Sequence, residues 1–217
     1  MTFVVMKSRI SKLSQGIKER LLNPLPGIKA HQLTRVISNN DLTFSNTAEN
    51  AIPAAVLILL FPFEKEIQFF LTQRTESVEH HKGQISLPGG MHEANESLKE
   101  TALRETEEEI GVDRNNVKLL GGLTPFFVPV TGYIIHPYIG WSEEKPLTKI
   151  HSGEVDKLFS IPISELIDDR ILVTEEWKIR GYDASVPYYN FDLCKVWGAT
   201  AAILSELKWI LKDVKVF

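Results

Sequence analysis

The chain is expected to fold as an α/β (α+β) sandwich, and three observations carry that expectation. Apolar runs of strand length recur along the chain, a few capped helical stretches are interleaved with them, and no internal repeat or low-complexity segment interrupts the series. Such an alternation fits helices packed on a mixed β-sheet.

In chain order, Ile10, Leu13, Ile17, Leu21 and Leu22 mark a helix over residues 10–22, stopped by Asn23-Pro24. That helix is expected to pack on the domain or on a second copy in a homodimer. Residues 41–50 are polar and read as a linker, so residues 1–45 form an N-terminal helical extension and residues 46–217 the main domain. The continuous apolar run over residues 54–61 suits a buried strand, and residues 67–72 form the next, with a turn over residues 61–66. Strands are also expected over residues 117–123, 133–141, 172–179 and 186–191. A Pro-bounded loop covers residues 125–132, Pro162 opens a short helix, and residues 198–213 make a long closing helix.

The helix that follows Gly90 carries the chemistry. Ser97 and Glu100 form a capping-box pair at its start, and Gly111 can end it in the left-handed conformation. Leu98, Ala102, Thr106 and Ile110 recur every four residues and should face inward. Beside them Arg104, Glu105, Glu108 and Glu109 put one guanidinium and three carboxylates on about one and a half turns. Like charges at that spacing repel, and hard oxygen donors select magnesium or manganese, so the stripe points to a divalent cation and phosphate chemistry. The turn Leu87-Pro88-Gly89-Gly90 lets backbone approach a ligand closely.

Bulk properties narrow the class. With 217 residues and 43% apolar composition the chain can bury one sizeable core. A net charge of −4 argues against a broad nucleic-acid surface. Cys194, the sole cysteine, cannot form an internal disulfide and is given no role. No stretch approaches the roughly 18 apolar residues that span a bilayer. The apolar start is too short for a signal-peptide core, and Lys7 and Arg9 follow it. A cytoplasmic protein with neither membrane nor nucleic-acid partner is expected.

Gly90, Glu96, Arg104-Glu105, Glu108-Glu109 and Gly111-Val112 resemble the Nudix box, G-x5-E-x7-R-E-U-x-E-E-x-G-U, where U is bulky and apolar. Thr106 replaces the first U while still offering a methyl group. The resemblance implies a Nudix fold, an α/β/α sandwich with a mixed β-sheet and a catalytic loop-helix-loop on one side, the terminal helix on the other. It also implies hydrolysis of a nucleoside diphosphate linked to another moiety, with Mg2+ or Mn2+.

Leu71-Thr72-Gln73-Arg74 and His81-Lys82-Gly83-Gln84-Ile85-Ser86-Leu87-Pro88-Gly89-Gly90 resemble the stretch before the box in coenzyme A pyrophosphatases. Ile179 to Tyr182 and Val196 to Ala201 resemble its C-terminal half. Thr75, Glu79 and Leu87 depart from that pattern, and Glu79 most, because a carboxylate stands where an arginine could hold an anion. The implied substrate is coenzyme A or acyl-CoA, with ADP-ribose, a dinucleotide or a nucleotide sugar as the alternative. A Nudix-fold nucleotide sensor without turnover is the reading from another class.

For that chemistry Glu105 and Glu109 are the expected main metal ligands, Glu108 a second or bridging one, and Gly90 a carbonyl donor. Arg104, i,i+4 from Glu108 and within reach of Glu100, would orient carboxylates. The general base is Glu105, Glu108 or a group outside the box. Glu96 serves either as a polar contact at the helix start or as a ligand. Arg74, Gly89, Gln84 and His81 are the candidate substrate contacts, Arg74 because a guanidinium matches phosphate geometry. His92, His136 and His151 read as structural, Trp197 as a core anchor. Phe126, Phe127 and Tyr133 serve either the pocket or packing.

Overall fold

A computed structural model describes residues 3–38, 46–75, 83–179 and 181–214, with side chains placed from residue 12 onward. The chain opens with α1 (Phe3–Arg20), α2 (Ile28–His31) and β1 (Ile37–Ser38). There follow β2 (Ile52–Phe63), β3 (Glu66–Arg74), β4 (Ile85–Ser86), β5 (Gly89–Met91) and α3 (Leu98–Ile110). Next come β6 (Lys118–Gly122), β7 (Phe126–Val128), β8 (Tyr133–Trp141), β9 (Val155–Pro162) and α4 (Ile163–Ile167). The chain closes with β10 (Leu172–Ile179), β11 (Tyr182–Asn190), β12 (Lys195–Trp197) and α5 (Gly198–Val214).

Among the described residues β2 to β9 form one mixed sheet, with the path β4-β3-β2-β8-β6 and β5, β7 and β9 joined to its strands. β2 and β8 run parallel from Ile52 opposite Tyr133 to Leu60 opposite Trp141, while the other pairs are antiparallel. The continuous apolar run of β2 has a simple cause: both faces are covered. Ala55, Leu57, Leu59 and Phe61 point toward Ala102, Ile110 and Val112 at α3. Ile58 and Leu60 point the other way, toward Leu204, Leu207, Ile210 and Leu211 of α5 and Leu13 and Ile17 of α1. The box helix and the terminal helix therefore lie on opposite faces, as the resemblance implied.

The second sheet is smaller: β11 pairs with β1, β10 and β12. On its surface Trp197 meets Trp177 edge-on, with ring centroids 5.7 Å apart. Cys194 is partly buried, and burial pushes its thiol up to about 12, which fits a packing residue.

Several expectations need correction. The helix begins at Phe3 and not near residue 10, and Leu22 lies outside its apolar face at 84% exposure. The turn after β2 is only Glu64-Lys65, so Pro62 and Phe63 belong to the strand. The loop over residues 125–132 contains β7, paired with β8. β9 was not anticipated, because Asp156 and Lys157 interrupt its apolar pattern. Residues 41–45 of the expected linker lie outside the described residues.

α5 also carries a buried carboxylate, Glu206, at 0% exposure. It accepts hydrogen bonds from the Gly27 N–H at 2.8 Å, the Thr124 N–H at 3.0 Å and the Thr124 hydroxyl at 2.7 Å. His31 Nε2 lies 3.3 Å away, its ring edge-on to Phe126. Glu206 thus ties the segment after α1 and the loop after β6 to the closing helix. Burial alone would raise its carboxyl, but these partners together bring it below its ordinary value.

Candidate active site

The acidic stripe forms as its spacing predicts. Ser97 Oγ accepts from the Glu100 N–H while Glu100 accepts from the Ser97 N–H, and Gly111 closes the helix at φ 72°. Thr106, the departure within the box, is buried and donates to the Ala102 carbonyl at 2.7 Å, so its hydroxyl is satisfied within the helix.

Facing this helix, β5 lies across β2, with Gly90 opposite Ala55 and Gly89 opposite Val56. Gly89 has φ 152°, and a Cβ there would strike the Ala55 carbonyl. At Gly90 a Cβ would collide with the Glu105 carboxylate. The two glycines let the backbone lie directly against two glutamates, and the Gly89 N–H donates to Glu109 Oε2 at 3.2 Å.

Each carboxylate has a different environment. Glu109 is 3% exposed. Burial pushes its carboxyl up to about 8; the Gly89 N–H and Arg74 hold it down only partly, and Glu105 and Glu154 push it further up. Glu105 is mostly buried and is also raised, by burial first, against the pull of Arg104. Glu108 is the exposed member. Arg104 Nη1 lies 2.8 Å from Glu105 Oε1 and 3.0 Å from Glu108 Oε2. The remaining guanidinium nitrogens, Nε and Nη2, grip Glu96 at 3.0 and 2.9 Å, and Nη2 also donates to the Met91 carbonyl.

One contact differs from the spacing argument. Glu100 is occupied by the capping box and does not reach Arg104. Glu96 takes that place, making a polar contact at the helix start. It also accepts from Thr101 Oγ1 at 2.7 Å and from the Glu93 N–H at 3.1 Å. The Arg104 hydrogen bonds hold Glu96 at about 2, well below the usual carboxylate range.

Arg74 ends β3 beside the stripe, with Nη1 3.7 Å from Glu109 Oε1. Its buried Nε has no hydrogen-bond partner among the described residues. The N–H of Arg74 donates to the Gln84 carbonyl, so Gln84 also borders the site. His81 and Glu79 lie outside the described residues. Leu87, another departure, is 3% exposed in the larger core.

The segment before β9 supplies groups that the sequence did not suggest. The His151 N–H donates to the Glu109 carbonyl and the Lys149 N–H to that of Ile110, while the Thr75 N–H donates to the Glu154 carbonyl. Glu154 thereby adds negative charge beside Glu105 and Glu109. No local pattern marks it; only the pairing of β9 with β3 brings it there.

As they stand, no three acidic, histidine or cysteine side chains among the described residues converge on one point, because Arg104 draws Glu105 and Glu108 to itself. The residues nevertheless fit a divalent cation. Their donors are hard oxygens, the absent side chain of Gly90 leaves its backbone against Glu105, and burial raises two of the carboxylates in a way that an added positive charge would reverse.

A mixed sheet covered on both faces, with a glycine turn beneath an acidic helix, presents hard oxygen donors suited to a divalent cation. Comparison with known proteins makes this specific: the NUDIX domain family matches residues 51–181, and the chain belongs to the Nudix family, whose hydrolases generally use divalent metals such as Mg2+ or Mn2+. Nudix hydrolase 3 of Caenorhabditis elegans is 35% identical over 153 residues, covering 69% of this chain and 60% of that protein. The peroxisomal coenzyme A diphosphatase ndx-8 of the same organism is 33% identical over 144 residues, covering 65% and 61%. This chain therefore spans about three-fifths of the length of these two relatives. The uncharacterized Nudix hydrolase NudL of Photorhabdus laumondii is 32% identical over 163 residues, covering 74% and 85%. A solved Nudix hydrolase from M. smegmatis, RenU, shares the fold with a TM-score of 0.54 at 16% identity, covering 82% of this chain and 94% of that one. No helix among the described residues is long and apolar enough to cross a membrane.

Proposed function

We propose that this Nudix protein hydrolyses the diphosphate bond of coenzyme A or acyl-CoA, giving (acyl-)4′-phosphopantetheine and adenosine 3′,5′-bisphosphate. The observation that carries the chemistry is Glu109: a carboxylate buried beside Gly89 and Arg74 and raised to about 8 is costly unless a cation compensates it. The substrate assignment rests on the stretches Leu71 to Arg74 and His81 to Gly90 and on the similarity to a coenzyme A diphosphatase.

Glu105 and Glu109, with Glu108 and the Gly90 carbonyl, are the proposed donors for Mg2+ or Mn2+. Such a cation neutralises diphosphate oxygens and makes bound water more acidic. Arg74, whose Nε–H has no partner among the described residues, is the proposed grip on a phosphate of the substrate; Gln84, whose carbonyl accepts from the Arg74 N–H, and His81, which the sequence alone suggests, are further proposed contacts. Glu105 or Glu108 accepts the proton of the attacking water. Arg104 does not touch substrate; it fixes the orientation of both carboxylates. A cytoplasmic location belongs to this proposal, and an organellar location of the tagged protein would overturn it.

The test is product analysis with Mg2+ on a panel of coenzyme A, acyl-CoA, ADP-ribose, a dinucleotide and a nucleotide sugar. Release of adenosine 3′,5′-bisphosphate from coenzyme A supports the reading. Coenzyme A left intact while ADP-ribose is cleaved overturns the substrate, and no turnover of any compound overturns catalysis in favour of a nucleotide sensor.

A further inference from the structure

We infer that His92 is a positioning residue for the acidic stripe, acting through Thr101 and Glu96 on Arg104, and through Arg104 on Glu105 and Glu108. The catalytic meaning of this relay rests on the diphosphate-hydrolase reading; its geometry does not depend on the substrate.

Thr101 sits in the first turn of α3 and is fully buried. Its Oγ1 lies 2.7 Å from Glu96 Oε1, 3.0 Å from His92 Nδ1 and 3.3 Å from the Ser97 carbonyl. A hydroxyl has one proton to give, and both Glu96 and the Ser97 carbonyl can only accept. Whichever of them receives it, with Glu96 the shorter contact, Thr101 has no proton left for His92. Nδ1 must therefore carry a proton and donate, in the neutral ring as in the charged one.

The relay thus runs in one direction, from His92 to Thr101 to Glu96. Arg104 grips the same carboxylate with Nε on Oε2 and with Nη2 on Oε1, the oxygen that also accepts from Thr101. Once Glu96 is fixed, the third guanidinium nitrogen falls between Glu105 and Glu108. Without the His92 donor, the Thr101 hydroxyl can turn wholly to the Ser97 carbonyl, and Glu96 is held by Arg104 and the Glu93 N–H alone, with one fewer donor to fix its orientation. His92 is itself well placed for this work: its N–H donates to the Pro53 carbonyl, and the preceding Met91 carbonyl accepts from Arg104. One imidazole therefore joins the end of the glycine strand to the first turn of the acidic helix.

The inference is tested on the full chain by nitrogen NMR of labelled histidine, by Mn2+ titration followed by electron paramagnetic resonance, and by kcat and KM for coenzyme A with Mg2+. The NMR is expected to show a proton on His92 Nδ1. H92A and T101V are expected to weaken Mn2+ binding and lower kcat, each about tenfold, with KM within about twofold. T101S keeps the hydroxyl and H92N keeps a donor near the Nδ1 position, so both should stay close to wild type. A bare Nδ1, wild-type Mn2+ affinity in folded H92A, or H92N as impaired as H92A would overturn the relay. Should T101V fail to fold, the H92A and H92N pair and the NMR still decide. If the Mn2+ differences appear while wild type leaves coenzyme A intact, the relay stands and the substrate reading falls.

Discussion

Two buried glutamates sit on helices at opposite faces of the same sheet, and their environments are opposed. Glu206 on α5 is fully enclosed and accepts hydrogen bonds from Gly27 and Thr124, with His31 alongside. Glu109 on α3 is almost as enclosed but has one N–H at 3.2 Å and a guanidinium at 3.7 Å. The first carboxyl lies below its ordinary value and the second is raised to about 8. Burial alone therefore does not decide what a carboxylate costs; the donors arranged around it do. Glu206 is built as a fastening, whereas Glu109 retains a deficit of positive charge that a cation can fill.

The comparison is broken most severely by exchanging the two behaviours. Glu109→Gln should lower kcat/KM on the order of a hundredfold or more, while leaving the melting temperature of the metal-free protein unchanged or higher. Glu206→Gln should do the reverse, costing about 2 kcal/mol in denaturant unfolding with kcat/KM within about twofold. A Glu109→Gln protein with full activity, or a Glu206→Gln protein as stable as wild type, would remove the contrast.

Proton uptake gives a sharper form of the same test. Below about pH 8 the metal-free Glu109 holds a proton that a cation must displace, so metal affinity should rise by up to tenfold per pH unit toward 8 and level off above it. Calorimetry in buffers of different ionisation enthalpy should find nearly one proton released per metal ion at pH 7; release of none would sink the assignment. The fold itself should respond with opposite signs. Glu109, raised in the folded state, gives metal-free stability that is greatest below its ordinary value and is lost as pH climbs through about 8. Glu206, lowered, gives stability that is present above its ordinary value and is lost in acid. Thermal melts of the two glutamine variants should each lack one limb of that profile.

The smallest effect is expected at Arg74. Arg74→Lys keeps the charge but loses the planar fork, so KM should rise about tenfold while the metal-free fold is unchanged. An unaltered KM in steady-state kinetics would remove Arg74 from the substrate site.

What could be read from the chain follows the range of the interactions. The capping pair Ser97 and Glu100, the Gly111 cap, and the inward positions Ala102, Thr106 and Ile110 are local consequences of helical spacing. The strands Tyr133–Trp141 and Leu172–Ile179 were legible to the residue. Assigning Glu100 to Arg104 failed because helical spacing cannot tell which of two nearby carboxylates the capping box has already engaged. β9 escaped because charged residues interrupt its pattern, and its neighbour Glu154 reaches the site only through the pairing with β3. Glu206 meets His31 across 175 residues, a separation at which no periodicity applies.

β2 has a further consequence, for how the chain can change in length. Its alternate residues feed two separate cores, and Ala55 stands between Gly90 on one side and His136 on the other. A single inserted residue in this strand would send each core's side chains into the opposite one and carry the glycine turn off the acidic helix. The two-residue hairpin at Glu64-Lys65 lies beyond both cores, and is where this segment can accept extra residues without cost to the site.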